Sequence, residues 1–209
     1  MHSVPYAKET LLIMMGYALG CFASGYYLVR WWTGDDIRLI GSGNVGATNV
    51  GRVLGWPGFL LTVLCDFSKG LLAVWLAEYF RVNPTGVVLT LLAVAIGHVW
   101  PAQLWFHGGK GVATSLGAVL MFDYLIAGVF SGLFLLLWVT LRNFVLAGLL
   151  AFAITPLALF LLDFPLNSVF GLSALALLIL VAHRKNIPDE IDKLVTGRKL
   201  KADKRTVPK

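Results

Sequence analysis

Long apolar stretches separated by short polar loops dominate this sequence and restrict its possible folds more than any other feature. A helix needs about 20 apolar residues to cross a bilayer, and six of the seven stretches approach or exceed that length. Apolar residues make up 58% of the 209 residues and charged residues only 13%, which is too apolar for a water-soluble domain. The stretches cover residues 10–29, 56–80, 86–106, 111–122, 124–141, 144–162 and 165–182.

These stretches predict an all-α membrane protein, built as a seven-transmembrane-helix bundle. The fourth stretch is too short to cross a full bilayer alone, so we expect one short fourth helix that is tilted, partly re-entrant or at a thinned edge of the bilayer. In this interpretation residues 1–194 form the transmembrane domain, and residues 195–209 form a basic tail.

The distribution of basic residues predicts the orientation of the bundle. Lys and Arg collect in the cytoplasmic loops of membrane proteins. If the N-terminus lies outside, only Lys8 and Arg81 of the 17 Lys and Arg residues fall on the outer side, and Lys69 lies within a span. We therefore expect the N-terminus outside, the C-terminus inside and the tail in the cytoplasm.

The net charge of +6 is explained by this topology and by contacts with lipid headgroups, so we expect no nucleic-acid partner. Cys21 and Cys65 each lie in an apolar stretch, which indicates buried thiols and no disulfide framework. The histidines and cysteines lack the spacing of a metal site, and we expect neither a metal nor a cofactor.

The first polar loop, residues 39–52, is rich in glycine and in hydrogen-bonding side chains. Its glycines allow turns that point several main-chain N–H groups at one spot. Its arginine can bind two oxygens of one anion at once. The loop therefore favours an anionic ligand, and its candidate binding residues are Ser42, Asn44, Thr48, Asn49 and Arg52.

The second loop contains the run Gly108-Gly109-Lys110-Gly111 directly before the fourth stretch. Main-chain amides at the start of a helix and a lysine charge both favour phosphate. The run is not a Walker A loop, because the upstream glycine spacing and a Ser or Thr after the lysine are absent. We therefore predict phosphate binding without nucleotide hydrolysis.

A third polar segment, from His183 to Asn186, follows the last span and falls on the same predicted face. Each segment also has an ordinary structural explanation. Glycines form turns or helix contacts, His98 and His107 are typical interfacial residues, and a basic run after a span is a typical cytoplasmic anchor. Their predicted convergence on one membrane face favours a single anion site.

The sequence lacks two common patterns of acyl transfer. Ser42 lies in Gly-Ser-Gly-Asn rather than in a Gly-x-Ser-x-Gly elbow, and no base is placed beside it. We therefore disfavour a covalent serine intermediate. The acyltransferase pattern of a His, four intervening residues and an Asp is also absent.

Asp66 and Lys69 lie three residues apart within the second span and can pair on one helix face. Charged residues inside a membrane often mark function. We interpret this pair instead as a structural clamp that faces the bundle.

At these motifs the sequence resembles the bacterial integral-membrane acyl-phosphate:glycerol-3-phosphate acyltransferases. The resemblance extends over essentially the whole chain, with seven spans, an outside N-terminus and three cytoplasmic motifs in order. The matching segments are 41–49 with Arg52, 66–70, 97–98 with Pro101, 106–114, 183–184, 186–187 and 196–198.

The resemblance implies transfer of a fatty acyl group from acyl phosphate to the 1-hydroxyl of sn-glycerol 3-phosphate. The products are 1-acyl-sn-glycerol 3-phosphate (lysophosphatidate) and phosphate, in phospholipid biosynthesis. It also implies a multi-pass protein of the bacterial cell (inner) membrane with its active site on the cytoplasmic face. The implied partners are both substrates and membrane lipids, with the enzyme that forms acyl phosphate as a further candidate.

The resemblance further implies direct attack without an acyl-enzyme, with the leaving phosphate as a candidate proton acceptor. The expected catalytic residues are Ser42 and Lys110, which would bind phosphate, and His183, which would orient a phosphate or the attacking hydroxyl.

Further residues complete the expected substrate site. Arg52 and Asn186 would bind phosphate, and the amides of Gly108 and Gly109 would stabilise the acyl-phosphate group or its developing charge. The full expected set is Ser42, Asn44, Thr48, Asn49, Arg52, Gly108, Gly109, Lys110, Gly111, His183 and Asn186.

Three segments depart from the family pattern. Residues 142–148 lack the serines that the family tends to place after an aromatic residue, and residues 187–193 are longer than usual. Lys199 stands where a glutamate is common. These departures keep open a divergent noncatalytic paralogue or one with a changed substrate.

A small-anion membrane transporter or channel subunit is the competing class. Its expected marks are polar residues spread through the spans or duplicated halves, whereas here only Asp66 and Lys69 lie deep in a span. A noncatalytic scaffold for lipid enzymes would not need Arg52, Lys110 and Asn186 together.

Overall fold

The computed structural model describes residues 6–196 of the chain. Regular structure in this range is helical, with nine α-helices and two short 3₁₀ helices at Ile37–Leu39 and Ala102–Leu104. The α-helices are α1 (Ala7–Cys21), α2 (Ser24–Thr33), α3 (Ala47–Tyr79), α4 (Pro84–Val99), α5 (Val112–Phe122), α6 (Tyr124–Leu141), α7 (Phe144–Leu161), α8 (Leu166–His183) and α9 (Ile187–Thr196).

Six segments are long and apolar enough to cross a membrane, which confirms the all-α membrane class. They are Ala7–Thr33, Ala47–Tyr79, Pro84–Leu104, Tyr124–Leu141, Phe144–Leu161 and Leu166–His183. The predicted fourth span corresponds to α5, which is apolar but has only 11 residues. A helix of that length covers about 16 Å, against a hydrocarbon core of about 30 Å.

The described residues divide into two compact units, 6–121 and 122–196. In the first unit, α1 packs closely on α4 through small residues. A Cβ on Gly20 would collide with the carbonyl oxygen of Val94, and a Cβ on Gly97 would collide with that of Tyr17. Small residues allow this close main-chain approach between helices in a bilayer.

Helix α5 packs on α3 in the same way. Gly70 of α3 faces the carbonyl oxygen of Thr114, and Gly117 of α5 faces that of Phe67. The short helix is therefore held by direct approach of the two main chains. This packing fixes the beginning of α5, which directly follows the Gly-Gly-Lys-Gly run.

The first span is broken between α1 and α2, although the sequence predicts one continuous stretch over residues 10–29. At the end of α1, Lys69 Nζ donates to the carbonyl oxygens of Gly20 (3.1 Å) and Phe22 (2.6 Å). At the start of α2, Ser24 Oγ donates to Asp66 Oδ1 (2.8 Å). Two side chains of α3 thus satisfy groups that the break exposes.

Asp66 and Lys69 also pair with each other, with Oδ1 and Nζ 3.0 Å apart, and both are buried. The ammonium group lies at the negative end of the α1 dipole, and the carboxylate lies at the positive end of the α2 dipole. The predicted pairing is therefore confirmed, and a structural clamp between α1, α2 and α3 stays our interpretation of it.

In the second unit, α7 packs against both α6 and α8. Aromatic rings fill the contact between α6 and α7: Phe130 lies 4.6 Å from Phe152, and Phe134 lies 5.2 Å from Phe144, measured between ring centroids. These contacts join two helices whose sequences are almost wholly apolar.

The segment after α8 contains a helix that the sequence analysis did not predict. Residues of α9 are exposed or half-buried, and Asn143 Nδ2 donates to Glu190 Oε2 on this helix (3.1 Å). Asn143 Oδ1 also accepts the N–H of Leu146 (3.0 Å) and so caps α7. Asn143, in the divergent segment 142–148, thus supports α7 and α9 together. Lys199 lies outside the described residues.

Candidate active site

The first polar loop is folded firmly against the first unit. Ile37, Val45 and Val50 are buried together with Leu104, which follows α4. Burying an aliphatic side chain of this size contributes about 1.5–3 kcal/mol. The polar side chains of the loop therefore stand on a fixed main chain.

An ion pair links this loop to the segment after α4. Arg38 donates to both carboxylate oxygens of Asp36 at 2.6–3.1 Å, and its Nη1 donates to the carbonyl oxygen of Leu104 (3.3 Å). Hydrogen bonding to the guanidinium holds the pKa of Asp36 below its ordinary value, and the same bonds raise the pKa of Arg38. Both groups are charged at neutral pH.

Asn49 shapes the first loop from inside. Its side chain is buried, its Nδ2 donates to the carbonyl oxygen of Ile40 (2.9 Å), and its Oδ1 accepts the N–H of Ser42 (3.1 Å). Gly41 lies against this amide with a φ of +57°, where a Cβ would be strained and would overlap Oδ1. Asn49, which the sequence analysis assigns to substrate, therefore supports the turn that carries Ser42.

Asn44 joins the first loop to the second. Its Oδ1 accepts the N–H of Gly46 (2.8 Å), and its Nδ2 donates to the carbonyl oxygen of Gly108 (3.4 Å). Gly108 opens the Gly-Gly-Lys-Gly run. The first two motifs therefore lie side by side in the first unit.

The second loop folds back on the last turn of α4. The N–H groups of Gly108 and Gly109 donate to the carbonyl oxygens of Val99 (3.1 Å) and His98 (3.0 Å). A main-chain amide has one hydrogen to donate. In this structure the chain itself engages both amides. That these amides stabilise an acyl-phosphate group stays a prediction.

The amides of the first loop behave similarly. The N–H of Gly43 donates to the carbonyl oxygen of Ile40 (3.0 Å), and those of Ser42 and Gly46 donate to side chains of the loop, as described above. These three amides do not point at a common anion, contrary to the sequence expectation for this loop. The side chains of the first loop are therefore its main candidate phosphate donors.

The adjoining loops carry a set of such side chains. Ser42, Thr48 and Arg52 are exposed, and the latter two share one face of the first turns of α3. Among the described residues, no carboxylate pairs with Arg52. Lys110 is half-buried, and only Gly111, with a φ of +82°, separates it from α5. Two basic groups and two hydroxyls form a donor set suited to phosphate.

His183 and Asn186 belong to the second unit. His183 is buried at the end of α8, and its Nδ1 lies 2.8 Å from the carbonyl oxygen of Ile179. The N–H of Asn186 donates to the carbonyl oxygen of His183 (2.7 Å), and the carbonyl of Asn186 accepts the N–H of Glu190 (3.1 Å). These residues form the turn between α8 and α9, and their substrate roles stay predictions.

The sequence analysis missed a buried polar cluster beneath the second loop. His98 Nδ1 lies 3.1 Å from Thr114 Oγ1 and 3.6 Å from Asp66 Oδ1, and all three residues are buried. The sequence signal for this cluster was the position of polar residues inside apolar stretches. A buried polar group requires a hydrogen-bond partner, so such residues are expected to contact one another. In the part of the chain that is described, no group of His, Cys, Asp and Glu could hold a metal.

An apolar groove of about 300 Å³ lies between α2 and α3. Ser24 and Trp31 mark its extent along α2, over about 10 Å of helix, and Leu61 and Cys65 of α3 line the other side. The groove is suited to an aliphatic chain.

These features define a multi-pass helical membrane protein with adjoining cationic loops at one end of its first unit. Residues 10–193 match the family described as glycerol-3-phosphate acyltransferase. Glycerol-3-phosphate acyltransferase 1 of Desulfitobacterium hafniense is 44% identical over 185 residues, which cover 88% of this chain and 92% of the relative. Its namesake in Bacillus cereus is 37% identical over 179 residues, which cover 86% of this chain and 98% of the relative.

Solved structures agree with these relatives. One is the glycerol 3-phosphate form of PlsY (YgiH), an integral membrane glycerol 3-phosphate acyltransferase. It superposes with a TM-score of 0.80 at 34% sequence identity, and the match covers 95% of this chain and 97% of the PlsY chain. Its lysophosphatidic acid form gives a TM-score of 0.76 at 33% identity, with coverages of 92% and 94%. The chain belongs to the glycerol-3-phosphate acyltransferase family.

Proposed function

We propose that this protein transfers a fatty acyl group from acyl phosphate to the 1-hydroxyl of sn-glycerol 3-phosphate. The products are 1-acyl-sn-glycerol 3-phosphate and inorganic phosphate. Family membership supports the reaction, and the contact between Asn44 and Gly108 supports the site, because it brings the loops of Arg52 and Lys110 together.

The charge of the substrates explains why basic side chains are needed. A phosphate monoester carries about −1.5 to −2 charge near pH 7, and two such groups repel each other. Arg52 and Lys110 lie on the adjoining loops and can neutralise part of this charge. Ser42 and Thr48 add hydroxyl donors to the same loops.

The reaction needs no covalent enzyme intermediate. The 1-hydroxyl oxygen attacks the acyl carbon, the bond from that carbon to the phosphate oxygen breaks, and the hydroxyl proton passes to the departing phosphate. Acyl phosphate is already activated, so positioning and charge neutralisation supply the catalysis. Ser42 and Lys110 are the proposed catalytic residues in the first unit, and His183 and Asn186 retain the roles that the family resemblance implies.

The acyl chain requires an apolar environment next to a polar one. The groove between α2 and α3 begins at Ser24, beside the buried ion pair, and extends toward the end of α2 that carries the first loop. We assign this groove to the acyl chain of the donor.

We also propose that the site faces the cytoplasm of a bacterial cell and that α5 completes a seventh crossing. In the first unit, Arg30, Arg38, Arg52 and Lys110 lie toward the end that carries the two motifs. The opposite end carries Arg81, whose carbonyl oxygen accepts a hydrogen bond from Lys8 Nζ (3.2 Å). Reporter fusions that show a cytoplasmic C-terminus and an outside N-terminus support this topology, and two ends on the same side contradict it.

Purified protein supplied with acyl phosphate and glycerol 3-phosphate tests the function directly. We expect phosphate and lysophosphatidate in equal amounts, formed only when both substrates are present. Uptake of glycerol 3-phosphate into proteoliposomes without either product would instead support a transporter.

A further inference from the structure

A buried contact between two side chains, one before the second loop and one after it, has no role in the proposed function. Thr114 Oγ1 lies 3.1 Å from His98 Nδ1, although 16 positions separate the two residues. Both side chains are at most 5% exposed. The intervening chain contains the whole second loop, including Lys110.

His98 also holds this loop near its middle. The N–H of Gly109 donates to the carbonyl oxygen of His98 (3.0 Å). The imidazole ring lies directly against Gly109, so that an added Cβ at this glycine would overlap Nε2. One residue thus contacts the chain immediately before Lys110 and again four residues after it.

The ring of His98 is itself held by the packed core of the first unit. Its Nδ1 lies 3.6 Å from Asp66 Oδ1. The same carboxylate oxygen is bonded to Lys69 at 3.0 Å and accepts a hydrogen bond from Ser24 at 2.8 Å. The ring therefore lies between this polar group and the second loop, and its Nδ1 is within hydrogen-bond distance of Thr114.

We propose that His98, with Thr114 as its partner, is the positioning residue that places Lys110 for binding a substrate phosphate. The inference rests on the proposed function. His98 touches no substrate in this account and acts through the loop. Loss of the contact with Thr114 frees the C-terminal side of the loop and weakens phosphate binding.

The residue after Thr114 provides a matched control. Ser115 is equally buried on the same turn of α5, but its hydroxyl has no hydrogen-bond partner among the described residues. Thr114→Val removes a bonded hydroxyl with little change of shape, whereas Ser115→Ala removes an unbonded one. Thr114→Ser restores the hydroxyl.

The experiment combines steady-state kinetics with hydrogen–deuterium exchange of the peptides that span residues 105–111. For Thr114→Val we expect the KM of at least one phosphate substrate to rise about tenfold, with kcat within about twofold of wild type. We also expect faster exchange at Gly108 and Gly109. Thr114→Ser and Ser115→Ala should keep both readouts near wild type.

Two results would overturn the proposal. One is that Thr114→Val matches Ser115→Ala in KM and exchange. The other is a loss of activity in Thr114→Val that matches its smaller folded fraction, at unchanged KM and unchanged loop exchange, which indicates a purely structural role. A wild-type protein that lacks transfer activity, but whose loop exchange still depends on Thr114, would refute the proposed function and leave the loop contact established.

A second pair of variants tests the contact if Thr114→Val does not fold. The side-chain amide of His98→Asn can replace Nδ1, whereas His98→Leu offers no polar atom. We expect His98→Asn to keep KM within about threefold and His98→Leu to raise it about tenfold. Equal KM values for the two variants would overturn the assignment.

Discussion

Asn44 Nδ2 donates to the main-chain carbonyl oxygen of Gly108 across 3.4 Å, although 64 positions separate the two residues. The contact joins the loop of Ser42 and Arg52 to the loop of Lys110. The two loops are far apart along the chain, so their contact does not come from local sequence. The packing of α1, α3, α4 and α5 brings them together, so the candidate site is a product of the fold of the first unit.

Removal of this contact should lower activity more than stability. We expect Asn44→Ala to reduce kcat/KM about tenfold, because the turn at Gly46 and the link to Gly108 are lost together. The loss of stability should be about 1 kcal/mol. Initial rates and thermal unfolding in detergent measure the two effects.

Asn83 is the matched control, because its Oδ1 also accepts a main-chain N–H, that of Gly86 (2.8 Å), at the opposite end of the first unit. Asn83→Ala should cost about 1 kcal/mol as well but leave kcat/KM unchanged. Equal activity losses for the two variants would contradict a special role of Asn44.

The buried ion pair should dominate the stability of the first unit. Lys69→Met leaves Asp66 without its cation and leaves the carbonyl oxygens of Gly20 and Phe22 unbonded. We expect a loss of about 3–5 kcal/mol, measured as a lower unfolding temperature in detergent. Lys8→Met, at an exposed lysine, should change stability by less than about 0.5 kcal/mol. Similar unfolding temperatures for both variants would rule out the clamp.

The close approach of α1 and α4 predicts a difference between two glycines. Gly97→Ala places a Cβ against the carbonyl oxygen of Tyr17, and we expect a loss of about 1–3 kcal/mol. Gly128 of α6 has open space around the Cβ position, so Gly128→Ala should stabilise the helix by up to about 1 kcal/mol. Thermal unfolding of both variants checks the sign, and destabilisation by Gly128→Ala alone would contradict the packing described.

The helices could be predicted from the sequence because their apolar lengths and loop residues are local signals. The bounds of α6 agree with prediction at Tyr124 and Leu141, where Asp123 and Arg142 flank the apolar run. The break after α1 could not be predicted in this way. It depends on Lys69, which is 49 residues from Gly20 and is brought there by the fold.

The candidate site shows the same division. Glycine and basic residues identify the two loops, and the order of the spans places both loops on one predicted membrane face. Their direct contact is a result of the packing. The hydrogen-bond acceptor of each main-chain N–H cannot be predicted from sequence. The N–H of Gly109 donates to the carbonyl oxygen of His98 because the loop turns back on α4. The sequence therefore identifies the loops and their basic side chains, but it does not show that the chain itself engages the amides of Gly108 and Gly109.

The ion pair of Asp36 and Arg38 predicts a pH dependence of stability. Because the pKa of Asp36 is lower in the folded protein, its contribution is present above the ordinary value of about 4 and is lost as the pH falls through the lowered value. At pH 7, Asp36→Asn should be less stable than wild type. The difference should narrow as the pH is lowered below about 4, and a constant difference across this range would contradict the assignment.

Initial rates of acyl transfer by Lys110→Ala and Arg52→Ala test the central claim most directly, namely that the two adjoining loops bind the phosphate substrates. Each variant removes one cation from these loops, and we expect activity to fall at least about 100-fold while the protein stays folded. Lys8→Ala, which removes a cation from the opposite end, should retain wild-type activity. Full activity in both Lys110→Ala and Arg52→Ala would contradict the account.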